Sequence, residues 1–228
     1  MGNRILVIAS HPDDEVLGCG GTVRRLANEG HNVRIAILGE GITSRCTQRE
    51  QADQAELRQL QLRSQNACKL LGAENISFHS LPDNRFDTVP LLEVAKIIEG
   101  LIEDFHPSIV YTQHGGDLNI DHVITFRATL TAARPTENCP VKELYAYEVA
   151  SSSEWSFSQF SPAFIPNFFV DINQTLDIKI KAMNIYEGEV RAFPHPRSAE
   201  ALHATAQRWG SVIGVKAAEA FQLVRKSY

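Results

Sequence analysis

His11, Asp13, Asp14 and Glu15 place one imidazole and three carboxyl groups within five residues, directly behind the apolar run Ile5-Leu6-Val7-Ile8-Ala9. Two ionised carboxylates about 5 Å apart in a partly buried cleft repel by roughly 3 kcal/mol at an effective dielectric near 20. A helix starting near Glu15 offsets only about 0.3–1 kcal/mol of that, and Arg24 and Arg25 lie further along the same helix. A divalent cation resolves the repulsion, with His11 as one nitrogen ligand. His122, which closes a second polar cluster, QHGGDLNIDH at 113–122, is the natural other. One carboxylate and two imidazoles leave a coordination position open for water, as catalytic zinc sites do. The remaining carboxylate is then free to take a proton from that water. Alone, SHPDDE also fits a helix N-cap with an acidic first turn. The Asp121-His122 pair at a second strand end favours the metal.

Both clusters need a scaffold that brings them together. The β-branched runs 4–9, 33–38, 76–81 and 108–112 read as strands, with further strand candidates at 145–149 and 168–172. Helical patterns fall between them at 17–28, 47–71, 90–105 and 121–133, and the last quarter, from Thr175, reads as mostly helical. Such alternation implies βαβ units around a mainly parallel sheet. The expected architecture is one α/β domain over residues 1–228, a Rossmann-like three-layer sandwich with helices on both faces. Ligands of open α/β sheets bind beyond the carboxyl ends of the strands. HPDDE and QHGGDLNIDH follow two of the strands there, and GEGITS (39–44) and LPDNR (81–85) follow two more, so all four loops should converge on one rim. Gly18-Cys19-Gly20-Gly21 lacks the GxGxxG spacing of a dinucleotide loop. These glycines suit close helix approach instead.

Composition removes other function classes. The net charge of −5 disfavours nucleic-acid binding, which needs a basic surface to neutralise phosphates. No apolar run approaches the roughly 20 residues of a membrane span, so membrane insertion is not expected. A strand beginning at Arg4 leaves no room for a signal peptide. Cys19, Cys46, Cys68 and Cys139 form no CxxC pair and no secreted disulfide pattern, which fits buried thiols and a cytoplasmic location.

The pattern AxHPDDExLGCGG followed by DLNIDH resembles the zinc-dependent N-acetylglucosaminyl deacetylases, called PIG-L after the enzyme of glycolipid-anchor synthesis and LmbE-like in bacteria. The resemblance extends over residues 1–135, with PHPRS and the closing helices also similar to bacterial members. It implies one Zn2+ per chain on His11, Asp14 and His122, a ligand set that Fe2+ or Co2+ also suits. It implies Asp13 as the general base and an amino-sugar or sugar-conjugate N-acetyl group as substrate. A hydrolase of another amide or an ester is one rival reading. A sugar- or metal-binding protein on a decayed deacetylase scaffold is another, which an intact Asp13 disfavours.

The pattern departs from relatives at Asn119, where many carry a histidine that supports the oxyanion. The arginine that contacts substrate in relatives has two candidates, Arg58 and Arg63, neither at the expected spacing. His195 in FPHPRS (193–198) offers a replacement oxyanion donor or proton shuttle, oriented by Asp121, on a loop folded over the metal. Arg197, on the same side of an extended segment, would meet an anionic part of the substrate. Asp117 is either a loop-shaping residue or a substrate contact. Asp83 either pairs with Arg85 or meets a sugar hydroxyl, and Trp155 and Phe157 either stack on sugar or pack their loop. His114 reads as structural. Phe193, Trp209 and Phe221 in the last quarter, with the oligomeric habit of relatives, suggest a homo-oligomer.

Overall fold

The computed structural model describes residues 2–45 and 47–227. Strand β1 (Arg4–Ala9) shows why the sheet is covered on both sides. Ile5, Val7 and Ala9 join one core cluster, while Leu6 and Ile8 join another on the opposite face. A strand buried on both faces needs continuous apolar sequence, and this run supplies it. The helices α1 (Asp14–Asn28), α2 (Gln54–Leu71) and α5 (Leu176–Ile185) contribute Val16, Leu60 and Ile180 to the first cluster. The helices α3 (Leu91–Phe105) and α4 (Ile120–Ala132) contribute Val94, Ile98 and Ala128 to the second.

The other strands are β2 (Asn32–Gly39), β3 (Asn75–Leu81), β4 (Ile109–Gln113), β5 (Glu143–Tyr147), β6 (Phe168–Asp171) and β7 (Ala218–Lys226). They form one seven-stranded sheet in the order β3-β2-β1-β4-β5-β7-β6. The first five strands run parallel, and β7 is antiparallel to both neighbours. The chain reverses its direction of travel across the sheet between β1 and β4. That switch point is where ligands of such sheets bind.

The starts of the first two long helices differ from the sequence reading, and the strand expected at 145–149 runs from Glu143 to Tyr147. Helix α1 begins at Asp14, so the acidic pair sits at its start rather than before it. Helix α2 begins at Gln54, where the Asp53 carboxylate accepts the Ala55 N–H at 2.7 Å. Of the residues expected to begin that helix, Arg49–Gln51 form a short 3-10 turn instead, and another such turn, Thr43–Arg45, precedes them. Gly72 ends α2 with φ 78°, a left-handed stop that glycine adopts without strain.

The chain end is the main correction. Helix α6 (Ala199–Ile213) is followed not by more helix but by β7. AEAFQLVRK tolerates either periodicity, and its partners β5 and β6, distant in sequence, decide for the strand. Consequently Trp209 and Phe221 are core residues, and only Phe193 of the three aromatics offered for subunit contact stays exposed. Glu219 on β7 ties this strand to α1, by accepting the N–H groups of Gly21 and Thr22, and to α5, by accepting the Lys179 ammonium. Close approach explains Gly18, where a Cβ would stand 2.1 Å from the Tyr147 ring. Cys19 and Cys68 are buried and Cys139 is half-buried; Cys46 lies outside the described residues. Among the described residues no helix is long and apolar enough to cross a membrane.

Candidate active site

Parallel pairing of β1 with β4, in the register Ile5↔Ile109 to Val7↔Tyr111, starts the two polar loops side by side. Asp13, at the N-cap of α1, has φ 105° and ψ −26°, a left-handed backbone that costs a non-glycine residue roughly 1–2 kcal/mol. Glu15 holds that turn. One of its oxygens accepts the Asp13 N–H at 3.1 Å and the other accepts the Tyr186 hydroxyl at 2.5 Å. Burial pushes the Glu15 carboxyl up to about 8, against the Tyr186 hydrogen bond that lowers it.

The strained turn aims Asp14 into the centre of the site. Its Oδ2 lies 3.4 Å from His11 Nδ1 and 3.3 Å from His122 Nε2. The same oxygen accepts the His11 N–H at 2.8 Å and Gln113 Nε2 at 2.9 Å. Each imidazole has a carboxylate on its outer nitrogen. His11 Nε2 is 2.9 Å from Asp121 Oδ2, and His122 Nδ1 is 3.2 Å from Asp117 Oδ1. Such outer carboxylates fix ring orientation and tautomer in metal-binding histidines. Asp117 is itself held by the hydroxyls of Ser152 and Ser153 and by the Asn119 N–H.

The electrostatics favours positive charge at this point. Burial alone lowers the pKa of His11, yet hydrogen bonds to Asp121 and Asp14 and the charges of Asp14 and Asp83 hold it well above the ordinary value. His122 is likewise raised, to about 9, because Asp14 and Asp117 outweigh burial. Burial pushes Asp14 up, but the two imidazoles hold it well below the usual carboxylate range. Neither buried ring nitrogen of His122 makes a hydrogen bond; Nδ1 is turned to Asp117, and Nε2, facing Asp14 and His11, is placed to be a metal ligand. One donor atom each from His11, Asp14 and His122 lies within 4.8 Å of the others. Two nitrogens and one oxygen at this spacing fit a divalent transition ion.

Asp13 faces the same cavity, of about 560 Å³, from beside the metal-type cluster. Burial raises its carboxyl to about 7, and the Arg197 guanidinium, 2.8 Å from its Oδ2, opposes that rise. Arg197 also donates to Ser151 Oγ at 2.8 Å and to Glu189 at 3.1 Å, while Arg45 pairs with the other Glu189 oxygen. Arg197 is thus engaged with the carboxylate expected as base, instead of standing free for a substrate anion. His195 does not line the cavity. Its Nδ1 accepts the Arg197 N–H at 3.1 Å, and its ring stands edge-on to Trp155. The segment is a turn, closed by the Ser198 N–H on the His195 carbonyl. Alternate side chains therefore do not share a side as they would in an extended strand. Asp121 cannot orient His195, since its two oxygens serve His11 and the Phe86 N–H.

Asn119 lines the cavity and caps α4, accepting the Asp121 N–H at 2.8 Å and donating to Asn84 Oδ1 at 2.9 Å. Asp83 also lines it, turned to Ser44 and to within 3.4 Å of His11 Nε2, with Arg85 exposed elsewhere. Asp117 faces inward, behind His122, and is absent from the cavity wall. Arg63 is absent from it too and sits 3.6 Å from Glu187. His114 is buried, with Nε2 2.7 Å from the Pro162 carbonyl. Sequence reasoning missed Arg45, Ser44, Glu189, Gln113 and the Ser151-Ser152-Ser153 run. Gln113, opening the QHGGDLNIDH cluster, and Ser44, closing the GEGITS loop, lay in segments already placed on the rim; the others gain meaning only from partners far along the chain.

Residues 6–133 match the family model PIG-L, described as GlcNAc-PI de-N-acetylase. The chain belongs to the PIG-L family. This PIG-L chain is 26% identical over 201 residues to a probable N-acetyl-alpha-D-glucosaminyl L-malate deacetylase 2 of Bacillus cereus, covering 84% of this chain and 86% of that protein. It superimposes with a TM-score of 0.78 on the N,N'-diacetylchitobiose deacetylase of Pyrococcus horikoshii, at 20% identity, covering 98% of this chain and 84% of that one. A 4-carboxy-2-hydroxymuconate hydratase of Pseudomonas putida also reaches 0.78, at 18% identity, over 99% and 98% of the two chains. Likeness at these identities speaks for the fold alone. Since a hydratase shares the PIG-L fold, the reaction must be argued from the site.

Proposed function

We propose that this chain is a metal-dependent N-deacetylase of an N-acetylated amino sugar or sugar conjugate. The observation that carries the reading is the unbonded, buried Nε2 of His122 facing Asp14 and His11, with the Asp13 carboxylate on the same cavity. A divalent ion on His11, Asp14 and His122, zinc in the first instance, would supply Lewis acidity toward the acetamide carbonyl and lower the pKa of water. Asp13, with a pKa near 7, is suited to accept the proton of the attacking water and pass it to the amine nitrogen as the C–N bond breaks. Acetate and the free amine are the products. Arg197 holds Asp13 in place, and Asp83, Asn84 and Asn119 present polar groups suited to sugar hydroxyls on the cavity wall. Membership in PIG-L and the deacetylase names of the relatives support the same choice.

The test is metal analysis together with acetate release from a panel of N-acetyl sugars, their glycosides and matched O-acetyl esters. The expected result is one divalent ion per chain and release from N-acetyl sugars. Release from esters only would replace the reading with an esterase. Sugar binding without acetate release from any compound would make the protein a binding module.

A further inference from the structure

All four exposed tryptophan and phenylalanine side chains among the described residues, Trp155, Phe157, Phe160 and Phe193, fall in two segments at one rim of the sheet. Trp155 lines the catalytic cavity together with Leu118 and Ile120, and the three remain 40%, 48% and 43% exposed. Phe157 and Phe160 are bracketed by two anchored points of the same rim. On one side stands Trp155. On the other, the Pro162 carbonyl oxygen meets His114 Nε2 at 2.7 Å and lies where a Cβ on Gly116 would come within 1.8 Å. Phe193 precedes by two residues the His195 ring, whose centroid is 5.4 Å from that of Trp155.

The sheet order separates these groups from the polar wall. Ser44, Asp83 and Asn84 reach the cavity from the loops after β2 and β3, on one side of the β1–β4 switch point. Leu118, Ile120 and Trp155 come from the loops after β4 and β5, on the other side. Exposed apolar surface concentrated at a cavity mouth marks a binding surface. A tryptophan face alone would suit a second sugar ring. Two aliphatic side chains beside it, with phenylalanines beyond, suit a group without hydroxyls.

We infer that the substrate is an N-acetyl amino sugar bearing an aromatic or alkyl aglycone, with the sugar toward the β2–β3 side and the aglycone on this apolar collar. The inference rests on the deacetylase reading for the sugar. The test uses the metal-loaded Asp13→Asn protein, whose turnover should be lowered about 10²–10⁴-fold, and calorimetric titration with benzyl N-acetylglucosaminide (both anomers), free N-acetylglucosamine and N,N'-diacetylchitobiose. The better benzyl anomer should bind about tenfold more tightly than the free sugar. That factor equals about 1.4 kcal/mol, the transfer of roughly 55 Å² of apolar surface at about 25 cal/mol per Å². Adding Trp155→Ala should bring the ratio close to one. Equal affinities for benzyl glycoside and free sugar, or tightest binding of the chitobiose, would overturn the inference. Conversion of an oligomer to a monomer by Phe160→Ser would also overturn it, by giving the collar to a subunit contact. Failure of the deacetylase reading shows separately, as no acetate release by the wild-type protein from any of the three compounds.

Discussion

The corner proposed for the metal and the corner proposed for the base are built differently. His11, Asp14, His122, Asp117 and Asp121 all come from the loops and helix starts that follow β1 and β4, whose parallel register sets them side by side. Asp13 belongs to the same turn, but its partners arrive late in the chain: Tyr186 through Glu15, and Arg197 with Glu189. One corner is thus a property of the sheet's switch point, while the other depends on how the C-terminal segment packs back over it. Adjacent aspartates acquire opposite character as a result. Asp14 is held strongly acidic by two imidazoles, and Asp13 is raised to about 7 by burial that Arg197 only partly offsets.

Breaking the metal corner should have the largest effect. His122→Ala should lose stoichiometric metal, by elemental analysis, and lower acetate release to background while circular dichroism shows the fold kept; full metal occupancy would remove His122 from the ligand set. Breaking the base corner alone should separate chemistry from metal. Asp13→Asn should keep its metal and lose about 10²–10⁴ in turnover, whereas loss of metal from this variant would exchange the roles of Asp13 and Asp14. The outer carboxylate behind His122 should matter less. Asp117→Ala should weaken metal affinity by about 10–100-fold in chelator competition, and an unchanged affinity would reduce Asp117 to a loop residue.

Arg197 sharpens the contrast through pH. Asp13 must be ionised to accept a proton, so activity rises as pH passes upward through its pKa. Arg197 lowers that pKa; Arg197→Ala should therefore move the acid limb of the kcat/KM profile to higher pH, with activity recovering in alkali and Arg197→Lys falling between. A limb that stays in place would separate Arg197 from the base. The smallest effect belongs to His195, which lies off the cavity wall. His195→Ala should leave kcat within about twofold, in contrast to the 10²–10³ loss typical of an oxyanion donor.

The sequence by itself determined the scaffold's first five strands and the meeting of the two polar loops. The physical reason is local: strands buried on both faces need unbroken apolar runs, and polar residues at their carboxyl ends must gather on one rim. It also marked His11, Asp13, Asp14 and His122 as groups whose charges need one another, since close carboxylates cannot stand uncompensated. Only the tertiary structure decided the fate of the last quarter. Ala218–Lys226 became a strand because β5 and β6 offered free edges, a long-range choice that no local periodicity encodes. Likewise His195 and Arg197 looked equivalent in an extended reading. The turn that closes on Ser198 sends the guanidinium into the cavity to Asp13 and leaves the imidazole beside Trp155. Ser152 and Ser153 acquired their role because folding brought them to Asp117, 35 and 36 residues away along the chain.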